Sequence, residues 1–239
     1  MVLLVVKRKW AVLWGLCLAA GALALSGPVL TDTVPVFSPE APVSAVVVLD
    51  PGHGGEDGGA VSADQTVSES RINLEIALRV RDLMTFAGQP TVMTRTDDRA
   101  IYSSEARTLK EKKTSDLKNR VAMVNETENA LLLSIHQNSL PSSPVTHGAQ
   151  VFWNDREGAE AWGNAVQDAL NLTINPGNEK HSREIPDSIY LMKHVTAPAI
   201  LVECGFLSNG EETVLLQQPE YQLTLAAAIT AGYMSWNGA

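Results

Sequence analysis

The chain has 239 residues, of which 45% are hydrophobic and 5% aromatic, so its core is expected to be aliphatic. Its formal net charge is −9, from 18 Lys and Arg against 27 Asp and Glu. Nucleic acid is excluded as the expected partner, because phosphate backbones select basic surfaces. Cys17 lies in an apolar N-terminal segment and Cys204 follows a buried strand, so a disulfide scaffold is not expected either.

The first thirty residues predict a signal peptide or a membrane anchor. Three bases at 7–9 precede the apolar residues 10–25, and Ser26-Gly27-Pro28 ends the run. The positive-inside rule then places the rest of the chain outside the cytoplasm. A membrane helix needs ~20 apolar residues, so both a cleaved signal and an anchor through residues 10–30 stay open. Residues 31–44 carry three prolines and predict an extended linker.

From residue 45 onward, predicted strands and helices alternate. The predicted strands are 45–49, 90–94, 131–135, 149–153, 188–192 and 198–202, and the predicted helices are 69–86, 117–128, 157–172 and 219–236. This order predicts one α/β domain over residues 45–239, with a central, mostly parallel mixed sheet and helices on both faces. The basic insertion at 101–116 is interpreted as a solvated loop with a frayed helix, with docking of a partner or an acidic glycan as the alternative.

Three polar groups follow apolar strands in this pattern. His53 lies in the loop Asp50-Pro51-Gly52-His53-Gly54-Gly55, His136 follows 131–135, and Glu203 follows 198–202. In an open α/β sheet the chemistry gathers beyond the carboxyl ends of parallel strands. Two histidines and a carboxylate at one sheet edge are the parts of a zinc hydrolase site.

Two positions stay ambiguous from the residues alone. Glu69 begins the first long helix, either as a capping box with Thr66 or as a third metal ligand, for which the loop acids Glu56 and Asp57 are competing candidates. Glu203 is a candidate general base, whereas its neighbour Cys204 is a candidate nucleophile. Adjacent side chains on a strand point to opposite faces, so only one of these two can face the site. The other histidines, His147, His181 and His194, are interpreted as surface residues, and a place near the substrate stays open for His181.

Four motifs in order resemble the zinc-dependent N-acetylmuramoyl-L-alanine amidase family, the Amidase_3 type, over roughly residues 45–236. They are Leu49-Asp50-Pro51-Gly52-His53-Gly54-Gly55, Glu69 with Ile72-Asn73-Leu74, Ser134-Ile135-His136-Gln137-Asn138, and Val202-Glu203-Cys204-Gly205-Phe206-Leu207-Ser208-Asn209. The resemblance implies one Zn²⁺ ion held by His53, Glu69 and His136, with Glu203 as the catalytic acid and base. It further implies cleavage of the amide between N-acetylmuramic acid and L-alanine in peptidoglycan.

The insertion and Gln137 make the chain look most like the germination-specific sporulation amidases of the CwlD type. That subgroup implies spore-cortex peptidoglycan as substrate, the preparation of muramic δ-lactam, and an extracytoplasmic location. An activator protein is a further expected partner, and Asp50 is expected to orient His53. Two departures from the family pattern, Ser70 and Gln137, concern substrate fit. The alternative function is a non-catalytic wall-binding or regulatory domain on the same fold.

Overall fold

The computed structural model describes residues 45–237, which form a six-stranded sheet with helices on both faces. The strands are β1 (Val46–Pro51), β2 (Thr91–Met93), β3 (Ala130–Asn138), β4 (Gln150–Trp153), β5 (Arg183–Glu184) and β6 (Ala199–Phe206). The helices are α1 (Glu69–Phe86), α2 (Leu109–Glu126), α3 (Ala159–Thr173), α4 (Tyr190–His194), α5 (Gly210–Leu216) and α6 (Pro219–Asn237). The predicted α/β architecture is confirmed.

The strand order is β2-β1-β3-β6-β4-β5. Strands β2, β1, β3 and β6 are parallel, β4 runs antiparallel to β6, and β5 is parallel to β4. Because β1, β3 and β6 are neighbours, their carboxyl ends lie at one edge of the sheet. Asp50 is paired in register with Ser134, and His136 with Glu203, so this register brings the predicted functional residues together.

The two faces of the sheet bury different helices, as the alternation of strand residues requires. Under α1, α3 and α6 the strands contribute one apolar cluster, whose strand members include Val47, Leu49, Leu133, Ile135, Val202 and Cys204. On the opposite face, under α2 and α4, a smaller cluster forms around Val48, Leu132 and Leu201. Toward the carboxyl ends of the strands, the residues on this second face become polar. These polar residues are Asp50, Ser134, His136 and Glu203.

Helix α2 begins at Leu109 rather than at residue 117, so the second half of the insertion is regular helix instead of a loop with a frayed helix. Thr108 forms a complete capping box with Glu111, in which each side chain bonds the backbone N–H of the other residue. The spacing Thr108-x-x-Glu111 was therefore the sequence signal for an earlier helix start.

Three further boundaries differ from prediction. Residues 188–192 were predicted as a strand, but helix α4 occupies most of this segment, with Leu191 and Met192 buried against the sheet. A short apolar run has no period that distinguishes a strand from one helical turn. Strands β3 and β6 also continue through Asn138 and Phe206, beyond their predicted ends at residues 135 and 202.

The predicted signal or anchor at residues 1–30 and the linker at 31–44 lie outside the described residues. Within residues 45–237, none of the helices combines the length and the hydropathy needed to cross a membrane.

Candidate metal centre

Three predicted ligands converge at the carboxyl edge of the sheet. His53 comes from the loop after β1, Glu69 from the first residue of α1, and His136 from β3. Each offers one ligand atom, and these atoms lie within 4.8 Å of one another. Nε2 of His53 is 3.4 Å from Oε2 of Glu69, and Nδ1 of His136 is 2.8 Å from Oε1 of Glu69.

Zinc fits this donor set. Two imidazoles and a carboxylate are the ligand types of catalytic zinc sites, which keep a fourth position for water or substrate. Zn–N and Zn–O bonds of about 2.1 Å place tetrahedral donors about 3.4 Å apart, which matches the 3.4 Å between Nε2 of His53 and Oε2 of Glu69. That the three residues bind zinc stays a prediction, because geometry shows only that they can.

The glycine-rich loop lets these side chains approach one another. A Cβ atom at Gly52 would overlap the imidazole of His136, and one at Gly59 would overlap the carboxylate of Glu69. Gly59 also has φ +69°, and His53 itself has φ +62°, a left-handed conformation that is uncommon outside glycine. Strained backbone of this kind persists where the surrounding structure fixes it, and it concentrates at functional sites.

Asp57, rather than Asp50, orients His53. Oδ2 of Asp57 is 3.0 Å from Nδ1 of His53, which leaves Nε2 directed toward Glu69. A carboxylate bonded to the outer nitrogen of a ligand histidine fixes the ring and raises its basicity. Burial lowers the pKa of His53, but the bonds to Asp57 and Glu69 outweigh burial and raise the pKa to about 9. The centre therefore stabilises positive charge.

Glu69 is held by its side chain and does not cap the helix. Its Oε2 accepts a hydrogen bond from the N–H of Ala60, and its Oε1 accepts bonds from the N–H of Gln137 and from Nδ2 of Asn73. The N-cap of α1 is Ser68, without a side-chain cap bond, so the capping-box alternative is wrong. Burial raises the pKa of Glu69, but its bonds to the two histidines outweigh burial and hold the pKa far below its usual range.

Asn73 connects Glu69 to the chain's unusual Gln137. This fully buried amide also donates to the carbonyl of Gly52 and accepts a bond from Nε2 of Gln137 at 3.1 Å. Gln137 therefore supports the carboxylate of Glu69, and it also belongs to the lining of the cleft.

Asp50 lies at the centre of a buried polar network and forms no hydrogen bond with the His53 ring. The expectation that Asp50 orients His53 is therefore wrong. Its carboxylate accepts hydrogen bonds from Arg120, Ser134 and Thr94. Burial raises the pKa of Asp50, but the Arg120 guanidinium and these bonds outweigh burial and lower the pKa to about 2. Arg120 also donates to the carbonyl of His53 at 2.7 Å, and this bond holds the left-handed ligand residue in place.

Glu203 faces the centre and Cys204 faces away from it. Glu203 lines the same cleft as the three candidate ligands, and its buried Oε2 has no hydrogen-bond partner among the described residues. Burial raises the pKa of Glu203 to about 7, and the nearby Glu69 carboxylate contributes to the rise. Cys204 is fully buried in the α1 cluster, and burial raises the pKa of its thiol, so the Cys204 nucleophile alternative has no geometric support.

The cleft above this centre has a volume of about 360 Å³. One wall comes from α2 through Lys113, Asp116 and Leu117, and the opposite wall comes from 188–191, including Ile189. The insertion therefore forms part of the cleft, which the sequence did not reveal. The three remaining histidines, His147, His181 and His194, are exposed as predicted and do not line the cleft.

The insertion is also fixed to the ligand loop by ion pairs. Lys112 pairs with Glu56, and Nζ of Lys113 lies 3.1 Å from Oδ2 of Asp57. Arg107 and Lys110 of the same segment are exposed.

The family model described as N-acetylmuramoyl-L-alanine amidase, Amidase_3, matches residues 47–234. The chain belongs to this family. It is therefore an enzyme of the N-acetylmuramoyl-L-alanine amidase class, as predicted, and the comparisons give no support to a non-catalytic domain.

Three proteins similar to this amidase are matched over most of their own length. It is 38% identical, over 192 residues, to the germination-specific N-acetylmuramoyl-L-alanine amidase of Bacillus subtilis, covering 80% of this chain and 79% of that protein. The CwlD amidase from Clostridioides difficile, solved in complex with the GerS lipoprotein, is 34% identical with TM-score 0.78, covering 82% and 99%. An N-acetylmuramoyl-L-alanine amidase from Clostridium difficile 630 is 26% identical with TM-score 0.70, covering 82% and 98%.

Proposed function

We propose that this amidase is zinc-dependent and hydrolyses the bond between N-acetylmuramic acid and L-alanine in spore-cortex peptidoglycan. The observation that carries the proposal is the convergence of His53, Glu69 and His136 beside the unpartnered carboxylate of Glu203. Cortex as the substrate is supported by the similarity to the germination-specific relative. The product would be a muramic residue free of its stem peptide, ready for δ-lactam formation.

His53, Glu69 and His136 would hold one zinc ion. When bound, zinc supplies Lewis-acid polarisation of the scissile carbonyl and acidifies water toward pKa ~7. Asp57 keeps the proton of His53 on Nδ1, so that the lone pair of Nε2 stays available to bind the metal. Asn73 and the N–H of Gln137 hold the carboxylate of Glu69 in one orientation.

Glu203 would move the protons of the reaction. Its carboxylate accepts a proton from the attacking water and passes it to the departing amine of L-alanine. The pKa of Glu203, raised by burial to about 7, lies near the pH at which a group can both accept and donate. The absence of a hydrogen-bond partner for its Oε2 among the described residues leaves that atom free for water.

The proposal also gives the N-terminal segment a role in export. Residues 1–30 would deliver residues 45–239 to the wall as a signal peptide or an anchor, with 31–44 as the linker. Relatives of this kind act on the cell wall, which lies outside the cytoplasm. An activator protein is also proposed, because the similar CwlD amidase was solved with a lipoprotein partner.

The test uses the full chain with purified cortex and vegetative peptidoglycan, with zinc, with a chelator, and with zinc restored after chelation. New L-alanine amino termini are quantified. Release that the chelator stops and zinc restores is expected, with cortex preferred. Release that persists in excess chelator would contradict the metal role, and equal release from both walls would contradict the cortex preference.

A further inference from the structure

The cleft holds more acidic groups than basic ones. Its carboxylates, among the described residues of its lining, are Asp50, Asp57, Glu69, Asp116 and Glu203. Apart from His53 and His136, its basic residues in the same part of the chain are Lys113 and Arg120. The zinc ion of the proposed function would offset part of this negative charge at the centre itself. Away from the centre, an anionic ligand group depends on one of these two bases for a favourable contact.

Arg120 is not available to a ligand. Its side chain is 1% exposed, and its N–H groups bond to Asp50, Asp116 and the carbonyls of Pro51 and His53. Lys113 has the opposite character, since its side chain is 52% exposed. Its ammonium has three N–H donors, of which the bond to Asp57 uses one, so two remain for a ligand.

Lys113 also lies close to the reacting centre. Oδ2 of Asp57 contacts both Nζ of Lys113, at 3.1 Å, and Nδ1 of His53, at 3.0 Å. The lysine is therefore two polar contacts from a candidate zinc ligand, on the α2 wall of the cleft. The wall from residues 188–191 offers Ser188, Ile189, Tyr190 and Leu191, none of which carries a positive charge. The cation that can meet a negatively charged ligand group is thus on the α2 side.

Resting on the proposed function, we propose that Lys113 is a specificity-determining residue that binds the first free carboxylate of the stem peptide. In a stem that begins with L-alanine and a γ-linked glutamate, that group is the glutamate α-carboxylate, one residue beyond the scissile amide. Lys113 selects stems in which this group is charged over stems in which it is an amide. The stem then lies along α2 and the glycan lies toward α4.

The experiment compares two soluble muramyl peptides that differ only at this group, with a glutamate α-carboxylate or an α-amide. The zinc-loaded full chain is assayed as wild type, Lys113→Ala, Lys113→Arg and Lys112→Ala. Lys112 is the matched control, because it pairs with Glu56 and does not line this cleft. The ratio of kcat/KM for the two peptides is measured, together with the zinc Kd of each variant.

Wild type and Lys112→Ala are expected to favour the carboxylate peptide by about 10- to 100-fold, the worth of a hydrogen bond to a charged group. In Lys113→Ala the ratio falls toward one through a higher KM for the carboxylate peptide, and Lys113→Arg keeps most of the preference. An equal loss on both peptides in Lys113→Ala would overturn the inference, because Lys113 would then act only through Asp57. No cleavage of either peptide by the zinc-loaded wild type would overturn the proposed function itself.

Discussion

The two faces of the sheet carry different chemistry, although the same strands form both. On the α1 face the alternate residues of β1, β3 and β6 are aliphatic through Leu49, Ile135 and Val202, and Cys204 continues the last of these rows. On the α2 face the rows become polar at Asp50, Ser134, His136 and Glu203. A period of two residues therefore separates a dry core from a reactive edge, and neighbours such as Glu203 and Cys204 have unrelated roles.

The largest effect is expected from Glu203→Gln, which removes the acid and base of the reactive face and preserves its shape. Turnover should fall on the order of 10²–10⁴-fold with zinc content unchanged, since the three candidate ligands are untouched. Hydrolysis of muramyl peptide and metal content are measured on the same sample. Near-normal turnover would remove Glu203 from the mechanism.

Arg120→Met should be the most destabilising change on the polar face. It leaves the Asp50 carboxylate buried without its cation, which typically costs about 3–5 kcal/mol of unfolding free energy. Adding Asp50→Asn should recover part of this loss, because the buried charge is then gone. Denaturant unfolding of the single and double variants is the measurement, and no recovery in the double variant would contradict the pairing.

Asn73→Ala tests a contact through which helix α1, which covers the apolar face, supports the reactive edge. Loss of its bonds to Glu69 and to the carbonyl of Gly52 should weaken zinc binding by about 10- to 100-fold. Competition with a chromogenic chelator measures the affinity. Asn164→Ala, an exposed asparagine on α3, serves as the control and should leave the affinity unchanged. Equal affinities for both variants would refute the support role.

Cys204→Ala should have the smallest effect, because it alters only the dry face. We expect turnover within about two-fold of wild type and a loss of about 1 kcal/mol in unfolding free energy from the small cavity. Turnover and denaturant unfolding are both measured. A fall in turnover as large as that of Glu203→Gln would restore the cysteine-nucleophile alternative.

The sequence predicted the site better than it predicted what surrounds the site. His53, His136 and Glu203 were predictable because each lies where a short apolar run ends, at positions that parallel strands bring together. The contact between Asp57 and His53 was not predicted from the sequence. The left-handed backbone at His53 and the turn after it bring Asp57 next to the imidazole, and neither feature produces a hydrophobic pattern in the sequence. The buried pairing of Asp50 with Arg120 joins residues far apart in the chain, and periodicity carries no information about it.

Helix α2 shows a different limit. Its first half is basic and exposed, so it lacks the apolar stripe on which helix prediction depends, and only the cap at Thr108 indicates the start. The cleft wall that Lys113 contributes could not be placed from sequence for this reason.

The central claim is that one face of the sheet holds a single zinc ion through His53, Glu69 and His136. Zinc X-ray absorption spectroscopy on the zinc-loaded full chain tests it most directly. The account predicts one zinc per chain, surrounded by imidazole nitrogen and oxygen at about 2.0–2.2 Å and without sulfur. A sulfur neighbour at about 2.3 Å, or no stoichiometric zinc in the folded protein, would contradict it.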